Sequence, residues 1–142
     1  MKSILLSGVI LFFVGVNQAI SGQNIVLHPI EKEMDGCACF VYSSSDTIRQ
    51  NLVLMTNELG DSASRAWINL GRGDIELDVV SYNEDDKSIK FNFKGKGIVL
   101  RFDGIVTIPA SDSQEYHVLR GKLFIDQGSN KMTWIVYAHS GC

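Results

Sequence analysis

The chain has 142 residues, the length of one domain, and its 45% hydrophobic and 20% charged residues with only two prolines exclude disordered and low-complexity classes. Thirteen Lys and Arg against sixteen Asp and Glu give a formal charge of −3, or −4 once a leader carrying Lys2 is removed. Such mild acidity argues against electrostatic binding to nucleic acid, which needs a basic face to displace counterions.

Met1-Lys2 precedes an apolar run over 4–16, and then come Asn17-Gln18-Ala19-Ile20-Ser21-Gly22. One positive charge, a short apolar stretch and Ala19-x-Ser21 are the parts of a secretory signal peptide, with the cut expected after Ser21. The division is therefore a signal peptide over 1–21 and a single β domain over 22–142. The apolar run is shorter than the roughly 20 residues that cross a hydrocarbon core, so no membrane span is expected after cleavage. No cysteine directly follows the leader to carry a lipid. A periplasmic or secreted location is expected, and the lack of any Asn-x-Ser/Thr acceptor fits it.

Beyond a lead-in over 22–35, apolar and polar residues alternate with a period of two, the spacing of side chains that share one face of a strand. Strands are predicted over 39–43, 51–56, 65–70, 75–79, 89–94, 98–103, 105–108, 116–125 and 131–138, with one helical turn within 44–50 and helix or loop over 57–64. Breaks fall at Gly71-Arg72-Gly73-Asp74, Gly95-Lys96-Gly97, 109–113 and 127–130, where glycine and short polar residues favour turns. The connections are short. About eight strands so joined predict an all-β antiparallel meander barrel, with a β-sandwich as the alternative.

Two registers follow from parity. Ile75, Leu77 and Val79 share a face with Ile89, Phe91 and Phe93 only if paired numbers sum to an even value, which asks for a loop of odd length around 82–86. That register also sets Glu76 and Asp78 beside Lys90, Asn92 and Lys94. Pairing Leu70 with Ile75 and Ile68 with Leu77 puts Trp67 and Asn69 on the face of Asp74, Glu76 and Asp78. The expected core comprises Val53, Ile68, Leu70, Leu77, Val79, Ile89, Phe91, Phe93, Leu100, Phe102, Val118, Phe124, Trp134 and Val136.

Three cysteines, Cys37, Cys39 and Cys142, remain after export, and three thiols allow one intramolecular disulfide with one sulfur left over. Cys37 and Cys39 are two apart and so point to one side of an extended segment, from which either reaches Cys142. Bonding them to each other would strain the short ring between them. Two other chemistries use the same residues. Cys37, Cys39, His139 and Cys142 supply three thiolates and an imidazole, the ligand set of a structural zinc site, although Cys-x-Cys is tighter than the usual pair. Thiol–disulfide exchange needs a lowered thiol pKa, and neither a Cys-x-x-Cys motif nor a helix start is present to provide it.

An aromatic beside acids, Trp67 and Asn69 with Asp74, Glu76 and Asp78, is the candidate contact for a cationic or sugar ligand, unless a loop covers the ring. Arg72-Gly73-Asp74 spells the tripeptide of integrin ligands, yet a tight turn needs the same glycines. His28, His117 and His139 are scattered, and their expected role is at the surface or in a hydrogen bond. No Gly-x-Ser-x-Gly elbow or phosphate-cradling loop occurs, so no catalytic residue is assigned.

Gly36-Cys37-Ala38-Cys39, then Ala66-Trp67-Ile68-Asn69-Leu70-Gly71 with Gly73-Asp74, and a terminal cysteine resemble small uncharacterised secreted bacterial proteins. Those proteins carry a Gly-Cys-x-Cys segment, an Ala-Trp-(Met/Ile)-Asn stretch running into Gly-x-Asp, and a closing Cys. The resemblance implies export and a disulfide, and carries no activity. In size and β content the chain is also similar to small periplasmic barrels that inhibit lysozyme, without their inhibitory motif. The reading that results is an exported, non-enzymatic β-barrel that binds a protein or small ligand, with a thiol-redox or metal-binding envelope protein as the alternative.

Overall fold

The computed structural model describes residues 24–34, 36–57 and 62–142. The leader over 1–21 lies outside them, as do 58–61 of the stretch over 57–64. Eight strands form one closed antiparallel barrel, each bonded to its neighbour in chain order and the last to the first. They are β1 (Ala38–Tyr42), β2 (Leu52–Thr56), β3 (Arg65–Asn69), β4 (Asp74–Asp85), β5 (Ser88–Gly95), β6 (Ile98–Ile108), β7 (Tyr116–Gln127) and β8 (Asn130–Gly141). The meander barrel is the observed architecture, and closure excludes the sandwich. A 3₁₀ turn at Arg49–Asn51 sits close to the expected helical turn. Among the described residues no helix is long and apolar enough to cross a membrane.

The two predicted strands over 98–103 and 105–108 are one, β6. Gly104 does not break it because it faces Gly121 of β7 across the ladder. A Cβ on Gly121 would stand 2.4 Å from the Asp103 carbonyl oxygen and 2.8 Å from Gly104 Cα, so the two backbones approach closer than any side chain allows. Between β5 and β6 only Lys96 and Gly97 are unpaired, with φ of 52° and 76°. Positive φ at both central residues is the hairpin geometry whose twist matches the flanking strands.

Side chains fill the interior. Phe91, Phe93 and Phe102 are fully buried there, with Phe91 stacked on Phe102 at a ring separation of 4.8 Å and edge-on to Phe93 at 5.5 Å. Eight strands enclose just enough space for such a core. In β7 the expected face is inverted: Leu119, Leu123 and Ile125 point inward, whereas Val118 is half-buried and Phe124 lies outside beneath the Arg101 guanidinium at 3.9 Å. This strand is apolar on both faces, and the wide planar ring of Phe124 serves as the seat of a cation rather than as core.

The expected pairing of Leu70 with Ile75 is shifted by two: Ile68 faces Ile75, Trp67 faces Glu76, and Asn69 faces Asp74. A shift of two conserves faces, so the predicted neighbours stay neighbours. Over them run residues 24–34 of the lead-in, held as a strap. The His28 N–H donates to the Asn69 carbonyl and the Ile30 N–H to that of Leu52, each at 2.9 Å. The Asp74 carboxylate accepts the N–H groups of Glu31 (3.0 Å) and Lys32 (2.6 Å), and Arg49 donates to the carbonyls of both residues. Removing the carboxylate in Asp74→Ala is expected to cost about 1–2 kcal/mol, the worth of charge-assisted hydrogen bonds. Hydrogen exchange at the Glu31 and Lys32 amides should then accelerate, and unchanged protection there would show that Asp74 does not hold the strap.

Candidate functional site

The expected odd loop between β4 and β5 is not formed. Asp85 pairs with Ser88, leaving the two-residue turn Asp86-Lys87, and 82–85 are strand. The Asp85 carboxylate accepts the N–H groups of Lys87 and Ser88, both at 2.8 Å, and these bonds pull its pKa below the usual carboxylate range. Parity is restored by a β-bulge at Val80. Below it Val79 faces Phe93, a pair of even sum, and above it Tyr82 faces Phe91 and Glu84 faces Ile89. Asp78 lies beside Lys94 as expected, but Asn92 faces Ser81, Lys90 faces Asn83, and Glu76 lies against Trp67.

The bulge decides where two polar side chains point. Phe91 and Ile89 are interior residues, so their partners Tyr82 and Glu84 share the inward face and are delivered to one mouth of the barrel. From the other side, Cys39 of β1 faces Ser140 of β8, and Ser140 faces His117 of β7, a row of three on the inward face. His117 Nε2 lies 3.9 Å from Glu84 Oε1, while its Nδ1 accepts the Ala110 N–H at 3.1 Å. Accepting at Nδ1 places the proton of the neutral ring on Nε2, toward the carboxylate. Tyr82 donates its hydroxyl proton to Glu84, and burial together with that bond pushes the phenol pKa up. Tyr82, Glu84, His117 and Ser140 surround a cavity of about 230 Å³ whose lining includes Glu115 and the disulfide residue Cys37.

The disulfide joins Cys37 to Cys142 across 105 residues of sequence. Cys37 precedes the first strand residue, Ala38, so the period of two that set it on the side of Cys39 does not extend to it. Cys39 is fully buried, and its thiol pKa is pushed up to about 12, chiefly by burial, with the Ser140 hydrogen bond opposing and the Glu84 charge adding. The four proposed zinc ligands do not converge. Two are spent in the bond, Cys39 is inside, and His139 stacks on Tyr116 at 4.7 Å and meets Tyr42 edge-on. Among the described residues no three His, Cys, Asp or Glu side chains gather to hold a metal ion.

A thiol whose pKa is raised by folding stabilises the native state below its unfolded value, near 9, and loses that contribution as pH rises toward 12. The thiol's share of the stability should therefore fall by roughly 1.4 kcal/mol between about pH 8 and about pH 10, and this share is absent in Cys39→Ala. Urea denaturation at both pH values checks this, and identical slopes in the two proteins would place the thiol in a solvated setting.

The structure seats Trp67 beneath the strap. The ring is 9% exposed, sits among Ile30, Leu52 and Met55, carries the Lys32 ammonium 4.8 Å from its centre, and donates its N–H to Glu76 at 3.2 Å. Arg65 pairs with Asp78 (3.2 Å) and Glu76 (3.6 Å), Asn69 donates to the Pro29 carbonyl (3.1 Å), and Asp74 grips the strap. The acid of Arg72-Gly73-Asp74 is thus engaged by the chain itself. His28 packs on Gly71, where an added Cβ would lie 3.0 Å from its ring. Comparison of the chain with protein-family models, curated proteins and solved structures finds no match.

Proposed function

We propose that this chain is an exported, non-enzymatic binding module whose ligand enters the disulfide-flanked mouth. The observation that carries the reading is the bulge at Val80, which turns Tyr82 and Glu84 toward His117 around a cavity at one end of an otherwise apolar, filled barrel. Polar groups placed at the opening of a rigid scaffold are a common form of binding site. Carboxylates of Glu84 and Glu115 line the cavity, and no Lys or Arg is among its lining residues, so the complementary ligand group is a small cation such as an amine. The likeness to small secreted bacterial proteins and the Cys37–Cys142 bond support export. The thiol-redox alternative has less support, because a buried thiol with a pKa near 12 is protonated and inert at neutral pH.

An NMR titration with Nα-acetyl-lysine methylamide tests it, with the corresponding glutamate amide as control. Shifts confined to amides in 36–38, 82–84, 110–117 and 140–142, weakened in Glu84→Gln, are expected for the lysine probe alone. Shifts centred elsewhere, or the same response to both probes, would refute the reading.

A further inference from the structure

The outer surface of β5 to β8 has the opposite charge to the chain as a whole. Lys90, Lys94, Arg101, Arg120, Lys122 and Lys131 alternate there with inward core residues and are solvent-exposed. Against these six stand Asp103 and Asp126, so this wall is positive in a chain of formal charge −3. Ion pairs join Arg101 to Asp103 at 3.5 Å and Lys131 to Asp126 at 3.6 Å. Lys90, Arg120 and Lys122 face solvent around a groove of about 640 Å³ that crosses the Gly104–Gly121 pair.

The groove is not merely polar. Ile105, 67% exposed, and Ile135, 50% exposed, line it, and Val99 and Ile108 of the same strand, β6, are each 53% exposed. Ile105 lies between Ser88 and Arg120 in the register, and Lys122 between Asp103 and Ile135, so apolar and cationic side chains are neighbours along the ladder. Scattered exposed aliphatics need no explanation, but aliphatics clustered among cations form an amphipathic surface.

We infer that this wall docks on a membrane surface that carries anionic lipid. The isoleucines enter the boundary between headgroups and acyl chains, and the Lys and Arg heads lie at the level of the lipid phosphates, where each cation adds to binding. A peptide that docks by adding a strand needs a free sheet edge, and the closed barrel has none. A second copy fits less well, because the acid row of β4 is already engaged: Asp74 by the strap, Glu76 and Asp78 by Arg65. This surface is on the barrel wall and uses none of the mouth residues, so it stands or falls separately from the proposed ligand site.

The test is co-sedimentation of the exported chain with vesicles of phosphatidylcholine alone or with about one quarter phosphatidylglycerol, near 0.1 M salt. Wild type and variants must share one N-terminus, checked by intact mass, so that only the wall differs. Partitioning about tenfold stronger onto the anionic vesicles is expected, weakening as salt rises. Lys90→Glu with Lys122→Glu should abolish that preference, and Ile105→Ser with Ile135→Ser should reduce partitioning about tenfold. All four side chains are outward-facing, and an unchanged near-UV dichroism spectrum verifies that the variants fold. Equal binding to both vesicle types, or equal binding by wild type and variants, overturns the inference. So does lipid-independent self-association that the substitutions dissolve, or binding to polyglutamate that the Ile substitutions leave intact.

Discussion

Replacing Cys142 with serine is expected to lower stability by about 4–5 kcal/mol, because the bond closes a loop of 105 residues in the unfolded chain. A loss of this size lowers the melting temperature by on the order of 15 °C for a domain of this length. The site of the bond adds to its importance. The barrel is closed by pairing β1 with β8, and β1 offers only five residues to that seam, whereas β7 and β8 pair along twelve. Cys37–Cys142 fastens the mouth end of the short seam, next to the Ala38–Gly141 pair. The remaining sulfur cannot take over, since Cys39 points into the core. Cys37→Ser should lose the same amount, and reduction of the wild type should match both. A melting temperature indifferent to Cys142→Ser would mean that the bond does not form in solution.

Phe91→Ala should be almost as damaging, at about 3–5 kcal/mol. Its ring touches both other buried phenylalanines, and a closed ladder of strands cannot readily collapse into the space left behind. Phe124→Ala provides the contrast. That ring is half-buried on the outer wall under Arg101, so its loss should cost about 1 kcal/mol, the scale of an exposed cation–π contact and some covered area. Urea denaturation midpoints of the two variants measure the difference. Equal losses would contradict the assignment of inner and outer faces in β5 and β7.

The period of two made the architecture legible, and where one face is apolar and the other polar, as in Ile75-Glu76-Leu77-Asp78-Val79 and in 89–94, it also assigned the inward side correctly. It failed in β7, where Val118 and Leu119, and Phe124 and Ile125, offer two apolar choices side by side. The mouth was missed for a related reason. Alternation in β4 changes phase at Val79-Val80, so that odd positions face inward before it and even positions, Tyr82 and Glu84, after it. Two adjacent valines followed by Tyr82 two residues on were the available signal of a bulge. Read as a loop, the stretch 82–86 hid both side chains, and His117 gained significance only through Glu84. For the cysteines, parity within a strand could not choose between Cys37 and Cys39, since only one of them lies in the strand. Strap coverage of Trp67 depends on contacts some forty residues apart in sequence, such as Asp74 with Glu31, which local pattern does not reveal.

The most direct test of the central claim is the cross-strand NOE pattern of β4 against β5 in isotopically labelled protein. The bulge at Val80 requires NOEs between Val79 and Phe93 below it, and between Tyr82 and Phe91 and Glu84 and Ile89 above it. An unbroken register would instead set Ser81 opposite Phe91 and leave Tyr82 and Glu84 on the outer wall. Finding that second pattern would dismantle the mouth site.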